Sequence, residues 1–172
     1  MQTFTDMYSW ANCTGGWQTL PSGNVICYVM QLLPSQRRAE FCNYLGGHLL
    51  ELQTMEDYNA FVYYLWKLIT YNGRSNSTIM ATGAATGLPN NSATILLWQD
   101  SKEIVDFSLN GMIRPTGSVI PTLLPGQFMF LKPFSYSNSF RPNFTLQGVI
   151  SNDSNAEFIC MKPGEIWVYI YK

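Results

Sequence analysis

Residues suited to acid–base or nucleophilic catalysis are scarce in this chain, which has one histidine and four cysteines among 172 residues. The histidine, His48, lies with Cys42 in the apolar stretch EFCNYLGGHLLELQT at residues 40–54. A catalytic triad would need His48 as its base, and the sequence has no G-x-S-x-G nucleophile elbow. The metalloprotease H-E-x-x-H, P-loop and G-x-G-x-x-G motifs are also missing. We therefore predict no enzymatic activity, no cofactor and no metal site.

The overall composition narrows the range of partners. Charged residues make up only 12% of the chain, and the net charge is −1, so there is no electrostatic footprint for nucleic acid or an anionic membrane. The length and the 47% hydrophobic content predict one globular domain. No run reaches the roughly 18 apolar residues that a membrane span needs. We expect no nucleic-acid partner and no membrane span in this chain.

Five N-x-[ST] triplets indicate how a weakly charged surface could stay hydrated. They begin at Asn12, Asn76, Asn90, Asn143 and Asn152, and none has proline in the middle. Chance in an Asn-, Ser- and Thr-rich chain is the alternative, but so many favour a secreted glycoprotein. Since no signal peptide is visible at the start, the chain is expected to be a mature form or a segment of a longer protein.

The four cysteines favour disulfides over metal binding or redox chemistry. No C-x-x-C is present, and four cysteines allow three pairings. Cys13 and Cys27 flank a predicted hairpin, so a bridge between them could staple its strands. Cys42 and Cys160 would then form a long-range bridge.

Two helices follow the hairpin, which is predicted over residues 15–33. Ser35 is a plausible N-cap for the first helix, with Ala39, Cys42 and Leu45 on one face, and Gly46-Gly47 is expected to end it. Residues 48–52 predict a short strand or an extended link. A variant capping box at residues 54–57 opens the second helix, which an apolar stripe follows as far as Asn72-Gly73. The stripe is Tyr58, Phe61, Val62, Leu65, Leu68 and Ile69.

Strands dominate the remainder of the chain. A loop rich in Gly, Pro, Ser and Thr, residues 107–126, separates the middle runs and is long enough to suggest a binding role. The order of elements predicts an α+β domain with helices packed on antiparallel sheets. The β-like runs are residues 78–85, 93–100, 127–132, 156–162 and 165–172.

The stretch CYVMQLLPSQRRAEFCNYLGGHLLELQTMEDYNAF, residues 27–61, resembles the N-terminal half of C-type lectin-like domains. FIC at 158–160 resembles the closing strand, and ILLWQD at 95–100 resembles the central strand that carries a tryptophan. Trp17 after Cys13 fits the long form of the family, which has an extra hairpin disulfide. The resemblance implies a disulfide-stapled C-type lectin-like fold with two helices on antiparallel sheets and a long loop region.

The resemblance also implies the disulfides and the domain limits. Its disulfides would be Cys13–Cys27 and Cys42–Cys160, which makes Cys42 and His48 parts of the scaffold. The lectin-like domain would cover residues 13–162. Residues 1–12 would be an N-terminal extension, and residues 163–172 a C-terminal β-like tail.

The calcium site of sugar-binding family members is degenerate in this sequence. Those members use Glu-Pro-Asn or Gln-Pro-Asp in the long loop and Trp-Asn-Asp before the final strand, and calcium requires several anionic oxygens. Here the long loop has no carboxylate, and Arg114 is its only ionisable side chain. The triplet SND could supply only Asn152 and Asp153. We therefore predict that any ligand is bound without calcium at this position.

Three functions are compatible with these features. The first is an extracellular, non-enzymatic recognition module that binds a protein or glycan through Arg114, Ile120, Leu123 and Leu124; the alternative for this loop is that it covers the domain's own core. The second is a structural subunit that self-associates through residues 165–172, unless that strand pairs with residues 1–10 of its own sheet. The third is a calcium lectin with relocated ligands. We favour the first.

Overall fold

The computed structural model describes residues 13–72, 80–87, 95–106, 126–134 and 145–164. Within these ranges there are two helices, α1 (Ser35–Tyr44) and α2 (Met55–Asn72). The strands are β1 (Thr14–Thr19), β2 (Asn24–Leu33), β3 (His48–Leu49), β4 (Met80–Gly87), β5 (Ile95–Trp98), β6 (Gln127–Phe134), β7 (Thr145–Asn152) and β8 (Ala156–Pro163).

The strands join into one mixed sheet, which confirms the α+β prediction. The main order is β1-β2-β8-β4-β6-β7, while β3 also pairs with β8 and β5 with β4. The expectation of antiparallel pairing alone is wrong at one position, because β4 and β8 run parallel. Parallel neighbours need a long connection between them, and here the chain from β5 to β7 provides it.

The two helices cover opposite faces of the sheet. Side chains alternate along β2 and β8, so Ile26 and Ile159 join a core cluster that contains the buried face of α2. Cys27 and Phe158 point the other way, into a second cluster that contains Phe41 of α1. Both faces of the central strands are therefore buried, as in a three-layer domain.

Helix α1 begins differently from the prediction. Pro34 is the N-cap, without a side-chain capping bond, and Ser35 is the first helical residue. The predicted face is also only partly right: Cys42 is buried, Leu45 is half-buried and Ala39 is exposed. Arg38 is buried on this helix instead.

Helix α2 follows its prediction closely. The backbone N–H of Asp57 donates to Thr54 Oγ1 at 3.2 Å, which is one half of the predicted capping box. The other half is replaced, since the Asp57 carboxylate accepts from the backbone N–H of Ser22 at 3.0 Å and so ties the helix to the hairpin turn.

Among the described residues, neither helix combines the length and the apolar content that a membrane span requires.

Two disulfides fasten this arrangement, in the pairs that the family resemblance implies. Cys13–Cys27 joins the start of the hairpin to β2 across a sequence separation of 14. Cys42–Cys160 joins the buried face of α1 to β8 across a separation of 118. Since β8 pairs with β2, β3 and β4, the second bridge anchors α1 to the centre of the sheet.

The two bridges should differ in their effect on stability. In the chain-entropy model, alanine at both Cys42 and Cys160 should lower the free energy of unfolding by roughly 5 kcal/mol, and alanine at both Cys13 and Cys27 by roughly 3 kcal/mol. The larger loss is expected for Cys42–Cys160 because this bridge closes the longer loop. Urea unfolding without reductant, followed by tryptophan fluorescence, measures both losses. Equal losses, or a larger loss at Cys13–Cys27, would contradict the assignment of Cys42–Cys160 as the principal covalent restraint.

Candidate functional site

The long loop leaves the sheet beside β5. After Trp98 the chain turns back, so that the backbone N–H of Val105 donates to the carbonyl oxygen of Leu96 at 3.1 Å. Val105 is buried, whereas its neighbour Ile104 is 66% exposed. The residues that lead into the loop therefore form a hydrogen-bonded turn, on which Ile104 is exposed.

The loop returns to the sheet beside the end of β7. Gly126 has φ of 78°, a left-handed conformation that glycine adopts without a Cβ penalty. The next residue, Gln127, donates its backbone N–H to Thr86 Oγ1 at 3.0 Å and pairs with Asn152 in the ladder. The loop exit and the SND triplet therefore lie side by side on neighbouring strands.

Most of the predicted ligand-binding and terminal residues lie outside the described ranges. This applies to Arg114, Ile120, Leu123 and Leu124 of the long loop, and to both terminal segments, residues 1–12 and 165–172. It also applies to the sequons at Asn12, Asn76, Asn90 and Asn143. Asn152 is described and is exposed.

Both carboxylate oxygens of Asp153, the residue after β7, accept hydrogen bonds from α1. It accepts from the backbone N–H of Ser35 at 3.1 Å to each oxygen, and its Oδ2 accepts from Ser35 Oγ at 2.8 Å. Its Oδ1 also accepts from Arg38 Nη2 at 3.1 Å. The Asp153 carboxylate therefore accepts from the first backbone N–H of α1, where the helix dipole favours negative charge.

Arg38 is the buried partner in this interaction. Its side chain is only 1% exposed, and Nη1 donates to the carbonyl oxygens of Leu33 at 2.7 Å and Ser154 at 2.8 Å. The guanidinium carbon lies 6.0 Å from the ring centroid of Phe128 and 5.7 Å from that of Phe130. Burial lowers the pKa of Arg38, and the charge of Asp153 opposes this. We call Ser35, Arg38 and Asp153 the helix clamp.

The helix clamp engages Asp153, the one carboxylate that the SND triplet could offer to calcium. Partial burial alone would raise the pKa of Asp153, but the hydrogen bonds from Ser35 and the charge of Arg38 together hold it below its ordinary value. A calcium ion at this carboxylate would have to displace those donors and leave Arg38 buried without its counterion. Such an uncompensated buried charge is strongly destabilising.

An open cavity of about 430 Å³ lies at the foot of the loop, within the usual size range of ligand pockets. Its wall combines apolar and polar side chains and includes the exposed Ile104. We call it the loop-foot cavity; its lining is Leu52, Gln53, Trp98, Glu103, Ile104 and Asp106.

A second cavity, of about 240 Å³, lies where the turn after β5 meets the segment after β3. His48 Nε2 and Asp100 Oδ2 are 3.6 Å apart on its wall. Glu51, only 4% exposed, accepts there from the backbone N–H groups of Asp100 at 2.8 Å and Ser101 at 3.3 Å. We call this group the His48 pocket.

Only weak signals in the sequence pointed to these two groups. Arg38 stands in the polar run SQRRAE, which is typical of a solvated helix face, and its partner is 115 residues away. Glu51 interrupts the apolar run HLLEL. A charged residue within such a run indicates a buried polar contact.

Comparisons with known proteins establish the fold. No family model matches the chain, and no curated protein matches its sequence. Solved structures do match. SPL-1 in complex with GlcNAc is 16% identical with a TM-score of 0.53, and the match covers 88% of this chain and 95% of that one.

Two further structures give the same result. A calcium-independent type II antifreeze protein is 15% identical with a TM-score of 0.53, covering 89% of this chain and 95% of that one. The C-type lectin domain of murine dendritic cell inhibitory receptor 2, in complex with N-glycan, is 9% identical with a TM-score of 0.52, covering 88% and 99%.

The chain therefore has the C-type lectin-like fold, which confirms the resemblance and the fold class expected from residues 27–61. At these identities the likeness concerns the fold and leaves the ligand to be argued from this chain's own residues.

The helix clamp should contribute to the free energy of unfolding, and this contribution should depend on pH. Asp153→Asn should lower the free energy of unfolding at pH 7 by about 1–2 kcal/mol, because it removes a charged acceptor from buried Arg38 at a partly exposed position. The folded-state pKa of Asp153 is depressed, so its contribution is present above the unfolded value near pH 4 and is lost as pH falls through the folded value. The difference between variant and wild type should therefore shrink toward pH 3.

Urea unfolding at pH 7 and pH 3 measures this difference. Glu103→Gln is a matched control, since it removes an exposed carboxylate and should have little effect at either pH. A difference for Asp153→Asn that is absent at pH 7, or that grows at low pH, would contradict the helix clamp.

Proposed function

We propose that this protein is an extracellular, non-enzymatic recognition module that binds a glycan or a protein surface through its long loop region, without calcium at the family's usual position. The recognition domain spans residues 13–162, with the terminal segments 1–12 and 163–172 as extensions. The binding residues are Arg114, Ile120, Leu123 and Leu124, together with the loop-foot cavity.

The observation that carries this proposal is the engagement of Asp153. Calcium takes six to eight oxygen ligands, several of them anionic. The loop between residues 107 and 126 has no carboxylate, and the one acid of the SND triplet is bound to Ser35 and Arg38. The two segments in which family members carry their calcium ligands, residues 107–126 and 151–153, therefore lack the ligand set for a calcium-bridged sugar.

The structural neighbours support recognition as the role. Two of them are complexes with GlcNAc and with N-glycan, and the antifreeze protein is described as calcium-independent. The same fold thus serves different ligands, which agrees with the rule that function resides in the site and not in the fold.

The loop-foot cavity supports a ligand with both polar and apolar surface. Gln53, Glu103 and Asp106 contribute hydrogen-bonding groups to its wall, while the exposed Ile104 contributes apolar area. This mixture suits a glycan, whose rings carry hydroxyl groups on apolar faces, and equally a side chain of a protein partner. Because the cavity adjoins the loop at residue 106, ligand contacts could extend onto the loop.

Several features support an extracellular location. All four cysteines are in disulfides, which persist in oxidising compartments. The sequon at Asn152 is exposed and next to the loop exit. A glycan there would stand beside the proposed binding region, and the other four sequons remain predictions.

A glycan array, together with a pull-down from extracellular fluid, tests the function. We expect specific binding that is equal in chelator and after calcium is added back. Leu123→Ala combined with Leu124→Ala should weaken it by at least about tenfold, because a buried apolar contact at an interface centre contributes more than 1 kcal/mol. Ile104→Ser should weaken it as well, since it alters the loop-foot cavity.

Leu32→Ala is the matched control, because Leu32 is an exposed leucine on β2, distant in sequence from the loop. Circular dichroism should verify that each variant is folded. Binding lost in chelator and restored by calcium would overturn the calcium-independent mechanism. Unchanged binding by every loop variant would remove the loop from the site, and absence of any glycan or protein ligand would overturn the recognition role.

A further inference from the structure

The His48 pocket brings three different metal-binding side chains together. A ring nitrogen of His48 and carboxylate oxygens of Glu51 and Asp100 all lie within 4.8 Å of one another. Two atoms bound to one tetrahedral zinc at about 2.0–2.2 Å stand about 3.4 Å apart. The observed 3.6 Å between His48 Nε2 and Asp100 Oδ2 is close to that separation and too long for a good hydrogen bond.

The orientation of the imidazole is independently suited to metal binding. His48 Nδ1 lies 2.7 Å from the carbonyl oxygen of Leu49, and a carbonyl only accepts, so Nδ1 must carry a hydrogen. In the neutral ring this leaves the lone pair on Nε2, the atom that faces Asp100. A backbone carbonyl that fixes the tautomer of the opposite nitrogen is the usual support of a metal-binding histidine.

The pocket is negatively charged and has no cationic side chain to balance it among the described residues. Glu51 is 4% exposed; its Oε2 accepts from two backbone N–H groups, whereas within the described ranges its Oε1 accepts only from the Gln53 amide, at 3.2 Å, and so keeps a lone pair for a cation. Asp100 adds a second carboxylate, and within the described part of the chain His48 is the one basic side chain that contacts it, at 3.6 Å. A cation between the three side chains would compensate this charge.

The backbone holds the three residues together through Gly83 of β4. Its N–H donates to the carbonyl oxygen of Leu50 at 2.8 Å, and its carbonyl oxygen accepts from Gln99 at 2.8 Å. A Cβ at Gly83 would lie 2.9 Å from the carbonyl oxygen of Leu49. The close approach that glycine permits therefore places the Glu51 and Asp100 segments on either side of one strand.

We propose that His48, Glu51 and Asp100 form a site for a divalent transition-metal ion, with zinc as the best match. An imidazole with two carboxylates suits zinc, whereas calcium and magnesium prefer a set made only of oxygen. The adjoining cavity of about 240 Å³ leaves room for a fourth ligand, such as water or a partner's side chain. This site lies apart from the helix clamp and differs from the sequence-based expectation of no metal.

Zinc titration of the tag-free, chelator-treated protein tests the site. Isothermal calorimetry should give one zinc ion per chain and no heat with calcium. Because His48 is the chain's only histidine, its imidazole nitrogens are also a unique NMR probe. Zinc should shift the Nε2 resonance of the wild-type protein strongly while Nδ1 stays protonated. This measurement needs no variant and therefore no assumption about folding.

Variants then assign the ligands. His48→Gln and Asp100→Asn should each weaken zinc binding by more than about tenfold, since even the loss of a supporting group outside the ligand set costs about that much. Glu56→Gln, an exposed carboxylate at the start of α2, is the charge-matched control and should bind as the wild type does. No zinc-induced shift at His48, or equal affinity in His48→Gln and the wild type, would overturn the proposal.

Discussion

A buried guanidinium with an acid at its exposed end is the constraint on which the rest of this structure depends. Arg38 lies on the sheet-facing side of α1, above the rings of Phe128 and Phe130, where an unpaired charge would be costly. Asp153 compensates it and also accepts from Ser35 at the start of the helix. The Asp153 carboxylate therefore both holds the first turn of α1 and is engaged within the fold.

The helix is held twice, and the two attachments act at different places. The Cys42–Cys160 bridge fixes the buried face of α1 to β8, and the helix clamp fixes its first turn to the segment between β7 and β8. Strand β8 in turn pairs with β2, β3 and β4. The loop exit at Gln127 pairs with Asn152, and so it adjoins the segment that the helix clamp ties to α1.

The family motifs made much of the fold predictable, because their signals are local. Gly46-Gly47 ends α1, Thr54 caps α2, and Tyr58, Phe61, Leu65 and Leu68 of the α2 stripe are buried as expected. Strand β7 was missed, since TLQGVISN has little apolar alternation and exists through its pairing with β6. The helix clamp and the His48 pocket were also missed, because both join residues that are distant in sequence and a periodicity argument treats a charged residue as exposed.

The central claim is that Asp153 is bound within the fold and not available to a ligand ion. Carbon-detected NMR of the side-chain carboxyl groups, titrated over pH with and without calcium, tests it directly. We expect the pKa of Asp153 to lie below the ordinary aspartate value and its carboxyl resonance not to respond to calcium. An ordinary pKa, together with a calcium-induced shift of the Asp153 carboxyl resonance, would contradict it.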